Sequence, residues 1–300
     1  MKFSHIELLD HFIRENSLFD DYLFMHEIVT GGSSYNFYIV TKHEKYLLKL
    51  MKSADNFARL KRILQKLNYY VPLSIECFEN YMLLATPYIN GRNIRYSDIN
   101  ASTLNDIKKQ LNQLQNLQND GIDLMPATIE NFVTVINNYF MSENCGWLYK
   151  IIKNTFWKRI KKLIVVLPAG KTIIHGDLTI NNILIDKQNK AHVIDFDKLQ
   201  YGYEVQDYMY LFLQLSGFRG LYGSRKHLNK LFSLLDLRNK YSLDECLYGV
   251  QYFYLYMLLR RICGLINKKQ NIRKTICLLI CLWGYFRVHK IMQNYFSDAT

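Results

Sequence analysis

The chain has 300 residues, 49% of them hydrophobic and 14% aromatic, which supports a large core and excludes a disordered polypeptide. Its formal charge of +12 admits two readings: solvated basic helix faces, or attraction to an anionic ligand, partner or surface. The six cysteines make no CxxC pair and no Cys/His cluster at zinc spacing, and the longest apolar run, 276–283, is far shorter than the roughly 20 residues a spanning helix needs.

The N-terminal segment is polar and amphipathic and carries no targeting signal, so a reduced, cytoplasmic setting without a transmembrane segment is expected. Residues 23–29, 37–41 and 46–51 read as strands, with a glycine-bearing turn at Thr30-Gly-Gly-Ser-Ser-Tyr-Asn36 and a second turn at His43 and Glu44. Phe57, Leu60, Ile63, Leu64 and Leu67 fall at helical spacing, and 72–78 with 81–85 give another strand pair. Beyond Thr86-Pro-Tyr-Ile-Asn-Gly91, residues 100–118, 127–142 and 147–167 look helical. Short strands and loops follow over 172–197, and helices return at about 203–217, 225–237, 243–266 and 272–294. The expected architecture is therefore α+β, with a small antiparallel-sheet lobe (1–86), a connecting hinge (87–91) and a large helical lobe (92–300).

The chemistry concentrates in 173–197. Ile173-Ile-His-Gly-Asp-Leu-Thr-Ile-Asn-Asn-Ile-Leu-Ile185 sets His175, Asp177 and Asn182 in the order His-x-Asp-x-x-x-x-Asn, and Val193-Ile-Asp-Phe-Asp197 ends an apolar strand on two carboxylates. Transfer of a γ-phosphoryl group needs positioning and charge neutralisation more than covalent help. Asp177 suits the acceptor hydroxyl, as orienter or proton acceptor. Asn182 and Asp195 offer the hard oxygen donors that hold Mg2+ against the phosphates of ATP. His175 suits a brace for the loop better than a proton shuttle.

These motifs resemble the aminoglycoside phosphotransferase and choline kinase family of the protein-kinase-like superfold, with Gly176 where protein kinases usually carry arginine. The resemblance spans about 22–215 and implies a two-lobed kinase fold. It implies that Gly31, Gly32, Ser33 and Ser34 cover the phosphates, that Lys49 reaches the α- and β-phosphates, and that the backbone of Pro87 and Ile89 meets adenine. Asp207 would tie its helix to the catalytic loop. Two departures stand out. No glutamate lies between Ser53 and Leu67, so Lys49 is partnered by Asp55, by Glu76, or by neither. Asp197 replaces the usual glycine and either assists a second metal ion or is a spectator.

The expected function is an ATP- and Mg2+-dependent small-molecule kinase, with a nucleotide-binding pseudokinase as the alternative from another class. Few acids follow Asp207, so a neutral or anionic hydroxyl acceptor suits the chain better than a polycation. No specific nucleic-acid partner is expected, and peripheral contact with an anionic surface stays open. Tyr252, Tyr254, Tyr256, Trp283, Tyr285 and Phe286 form core, an aromatic platform for a sugar, or a cage for a quaternary ammonium group.

Overall fold

The structure is a computed structural model. It describes the chain except residues 1–4, 16–18, 20, 29–34, 52–57, 59–60, 64–73, 77–81, 116, 118–123, 125, 127, 142–152, 217–223, 267–271 and 299–300. The described residues fall into two compact units, the first made chiefly of Met1–Gly91 and the second of Arg92–Gln118 and Asp123–Thr300.

In the first unit, strands β1 (Tyr22–Ile28), β2 (Tyr35–Thr41), β3 (Lys45–Met51), β4 (Ser74–Glu76) and β5 (Met82–Pro87) form one antiparallel sheet in the order β1-β2-β3-β5-β4. Strand alternation sends Phe37 and Ile39, Leu48 and Leu50, and Leu83 and Ala85 to one face, where all are buried. A helix that the sequence suggested only as an amphipathic stretch, α1 (His5–Glu15), lays Leu9 and Ile13, four residues apart, onto that face. Asp10 on its outer side bonds the Tyr22 hydroxyl and the Arg14 guanidinium. Within the expected helix at 55–67, the described positions 58 and 61–63 are helical and Ile63 is buried.

The second unit begins with β6 (Gly91–Asn93), α2 (Ala101–Gln115) and α3 (Ile129–Met141). Of the helix expected over 147–167, the described part is a π turn, Lys153–Trp157, running into α4 (Lys158–Leu163). Strands β7 (Thr172–Ile174), β8 (Ile183–Asp186), β9 (Ala191–Val193) and β10 (Gln200–Gly202) follow, then α5 (Glu204–Ser216), α6 (Arg225–Leu235), α7 (Leu237–Lys240), α8 (Leu243–Ile266) and α9 (Ile272–Ser297). The short strands make two small sheets, β6-β8-β9 and β7-β10.

Helix α5 is almost wholly buried, and α8 packs against α3, α5 and α9 so that every residue from 246 to 255 is buried. This decides most of the aromatic cluster. Phe253 meets Tyr210 edge-on with ring centres 5.0 Å apart, Tyr254 meets Tyr285 at 6.0 Å, and Tyr252, Phe253, Tyr254 and Tyr285 are all buried. They are core.

Candidate active site

In the first unit Lys49 sits mid-strand on β3, opposite Asn36 on β2 and Leu84 on β5. Its neighbours Leu48 and Leu50 point into the core, so alternation places Lys49, half-buried, on the sheet face away from α1. Gly31, Gly32, Ser33 and Ser34 lie outside the described residues, between strands whose last described pair is Ile28 with Asn36. Pro87 ends β5 opposite Tyr46 and, as proline, can offer only its carbonyl. The next amide, Tyr88, donates to the Lys45 carbonyl at 2.8 Å, and Ile89 beyond it is half-buried. Asp55 and the Glu76 side chain also lie outside the described residues.

The second unit assembles 173–197 around three ties. The first is Asp207, buried on α5, whose two carboxylate oxygens accept the consecutive amides of His175 (2.7 Å) and Gly176 (3.0 Å). Burial pushes its carboxyl up to about 6, against these two donors that favour the charged form. This is the tie the family resemblance implied.

The second tie is the His175 ring. Its Nδ1 accepts the Asp177 amide at 3.3 Å, so Nε2 carries the proton and donates to the Ile194 carbonyl at 2.9 Å. Both nitrogens are engaged by backbone, and the ring is fully buried with Phe196 5.4 Å away. His175 is a brace, and nothing in this geometry offers it to a substrate proton.

The third tie is Ile194, whose amide donates to the Asn182 carbonyl at 2.9 Å while its own carbonyl takes the His175 ring. One residue therefore locks the strand that ends in Asp195 onto both ends of the His175–Asn182 loop. Strand β9 is held from its other edge by Gln110 of α2, which donates to the Ala191 carbonyl (2.7 Å) and accepts the Val193 amide (2.9 Å).

These ties leave four polar side chains set by backbone geometry. Asn182 spends its amide nitrogen on the Asp177 carbonyl at 2.8 Å, which turns its oxygen the opposite way. Asp195 is exposed and left-handed, φ 64° and ψ 66°, a conformation tolerated by aspartate better than by most residues. Asp197 follows, half-buried, in the 3-10 turn Phe196–Lys198.

The fourth, Lys198, is a residue the sequence reading passed over. Its ammonium lies 2.7 Å from Asp177 Oδ2, with the lysine side chain 54% exposed and the aspartate 16%. Desolvation works against its charge, but Asp177 and the Tyr256 hydroxyl outweigh that and raise its pKa. The pair follows from the β7–β10 register, Ile174 opposite Gln200, which returns the chain beside its own catalytic loop. Gly176 is required there: its φ is +75°, and a Cβ would come within 2.3 Å of the Lys198 carbonyl. Next to Lys198, Gln200 donates to the Tyr252 hydroxyl at 2.8 Å, and Phe132 packs on Tyr252 and Tyr256. No signal within the lysine's own neighbourhood in sequence reveals the contact, because it depends on a strand pairing 26 residues apart.

Among the described residues no three His, Cys, Asp or Glu side chains converge as a self-sufficient metal site. An amide oxygen and one or two carboxylates still suit Mg2+, which keeps water and takes phosphate oxygens for much of its shell.

The model of the phosphotransferase enzyme family matches residues 26–224, the span that contains every motif described above. The chain belongs to that family. It is accordingly a small-molecule phosphotransferase, and the expected family and fold class are borne out. Its fold is that of choline kinase LicA from Streptococcus pneumoniae, with a TM-score of 0.59 and 12% identity over 94% of this chain and 99% of that one. A spectinomycin phosphotransferase, APH(9)-Ia, solved with ADP and spectinomycin, matches at TM-score 0.59 and 12% identity over 95% and 98% of the two chains. The amicoumacin kinase hAmiN, solved with AMP-PNP and Ca2+, matches at TM-score 0.59 and 11% identity over 99% and 100%. No curated protein matches the sequence. No helix among the described residues is long and apolar enough to cross a membrane.

Proposed function

We propose that this phosphotransferase moves the γ-phosphoryl group of ATP to a hydroxyl of a small molecule, a sugar or a cell-envelope precursor in preference to an amino alcohol, whose ammonium would meet the Lys198 charge. The observation that carries the proposal is the joint fixing of Asp177 and Asn182: one loop, braced by Asp207 and His175, presents a carboxylate and an amide oxygen in set directions. Asp177 orients the acceptor hydroxyl and receives its proton as the new O–P bond forms and the bond to the leaving ADP oxygen breaks. Asn182 and Asp195 hold Mg2+, with Asp197 as a further donor, and the bound ion neutralises phosphate charge. Lys49 pairs with the α- and β-phosphates, the 31–34 turn covers them, and the backbone of Pro87 and Ile89 meets the adenine.

The preference for a neutral or anionic acceptor rests on Lys198, which places a cation against Asp177, beside the half-buried Tyr256 ring and the Phe132 that packs on it. Membership of a phosphotransferase family weighs against the pseudokinase alternative. The test is ATP turnover by the purified chain across a panel of sugars, sugar acids and amino alcohols, repeated with Asp177→Asn. The expected result is a phosphorylated product whose kcat falls by about 10²–10⁴ in the variant while ATP still binds. An Asp177→Asn enzyme with wild-type turnover on an identified acceptor refutes the assignment.

A further inference from the structure

The positive charge of this chain is not spread evenly. Residues 144–176 and 246–297 hold fifteen of its 38 lysines and arginines and none of its 26 acids, leaving 23 bases against 26 acids elsewhere. The entire excess therefore resides in two stretches about a hundred residues apart, and the second unit brings them together.

The first contributes α4. Trp157 and Ile160 are buried, and Trp157 is anchored by its ring N–H to Asn137 at 2.8 Å, so Lys158, Arg159, Lys161 and Lys162 all face outward. Three residues past the helix, Val166 is 72% exposed. The second stretch contributes α9, where Trp283, Phe286, Arg287 and Lys290 are spaced three, four and seven apart and share one stripe. The Arg159 guanidinium lies 5.4 Å over the Phe286 ring and Phe156 is 6.4 Å from it, which joins the two helices into one face. Trp283 is 50% exposed, with Arg287 5.1 Å over its ring. Lys158, Arg159, Lys161, Lys162 and Lys290 make no salt bridge among the described residues.

A solvated helix face carries charges of both signs, whereas this one carries a single sign together with an exposed indole. That combination matches the boundary of an anionic bilayer: lysine and arginine heads reach lipid phosphates, and tryptophan places its ring among the upper acyl carbons with its N–H toward the headgroups. Single-stranded nucleic acid also binds basic and aromatic side chains, but it stacks its bases on open aromatic faces, and the Arg287 guanidinium already lies over the Trp283 ring. We propose that the face formed by α4 and the Trp283–Lys290 stripe of α9 docks this enzyme on anionic phospholipid membranes. The proposal is independent of the assigned phosphoryl-transfer residues.

The test is co-sedimentation of the full chain with vesicles at about 0.1 M salt, where opposite charges still attract over about 10 Å. Binding is expected to vesicles of equimolar phosphatidylglycerol and phosphatidylcholine and not to pure phosphatidylcholine. It should weaken about fivefold per basic residue lost, so the K158E/K161E/K162E variant falls by at least about a hundredfold. Trp283→Phe should remove a blue shift in tryptophan emission seen when the wild type binds. A circular dichroism melt checks that each variant folds; if the charge-reversed protein melts early, K158Q/K161Q/K290Q takes its place with the same expectation. Equal binding to both vesicle types, wild-type binding by the variant, or tighter binding to a single-stranded RNA oligonucleotide than to the anionic vesicles overturns the proposal, the last in favour of nucleic acid.

Discussion

An ammonium 2.7 Å from Asp177, the carboxylate proposed to face the acceptor, has two opposed effects on phosphoryl transfer. It withdraws electron density from the base, and it supplies positive charge where the transferring group is most anionic. The second effect dominates if Asp177 mainly orients the hydroxyl, as the loose transition state of this chemistry requires. Lys198→Met is therefore expected to lower kcat by about 10²-fold, with Lys198→Arg recovering part of it and the KM for ATP little changed in both. A lysine that only packed would instead move stability and leave kcat untouched. Asp207 carries a different expectation. Its carboxyl titrates near 6 in the folded chain against the usual 3.8, so its burial favours the folded state fully only below about 3.8. That contribution is lost as pH rises through about 6, to a maximum of about 3 kcal/mol. Urea melts from pH 3.5 to 7 should show Asp207→Asn lacking this decline, so the wild type loses ground to the variant as pH rises.

At the level of elements, the catalytic loop owes its shape to parts that carry no chemistry. β7 pairs with β10, Gln110 of α2 holds the outer edge of β9, and Ile194 bonds the loop at both ends. In the first unit the equivalent service is done by α1, which closes the apolar face of the sheet opposite Lys49. Leu9→Ala should cost about 2–5 kcal/mol, read as a lower urea midpoint, because the sheet face beneath it has no described alternative cover. The helix was only partly legible in the sequence. Its apolar positions Ile6, Leu9, Phe12 and Ile13 fall at helical spacing, but a helix of eleven residues is marginal alone and only the sheet gives that face somewhere to go. The strands of the first sheet, by contrast, announced themselves, since alternation along 37–51 is a local property that burial on one face enforces.

For the whole molecule, the metal expectation follows from the donor set. One amide and two carboxylates, with no third His, Cys, Asp or Glu converging on them among the described residues, should bind Mg2+ weakly alone and well beside ATP, whose phosphates complete the shell. Thermal unfolding is expected to shift by a few degrees with Mg2+ and ATP at about 100 times Kd, and hardly at all with Mg2+ alone. An equal shift with Mg2+ alone contradicts the shared site.

What the sequence by itself determined is the reaction class. The spacing of His175, Asp177 and Asn182 and the strand-end pair Asp195 and Asp197 are short-range patterns, readable because one loop and one strand carry them. The tertiary structure decided what surrounds them. Lys198 meets Asp177 only through the β7–β10 register, His175 is revealed as a brace only by its two backbone partners, and the aromatic run divides into buried rings, the half-buried Tyr256 and Phe286, and one exposed indole only when α8 and α9 pack. The charge excess was countable from the start, but whether two distant basic stretches share a face depends on packing between residues far apart in the chain, and no local pattern encodes that.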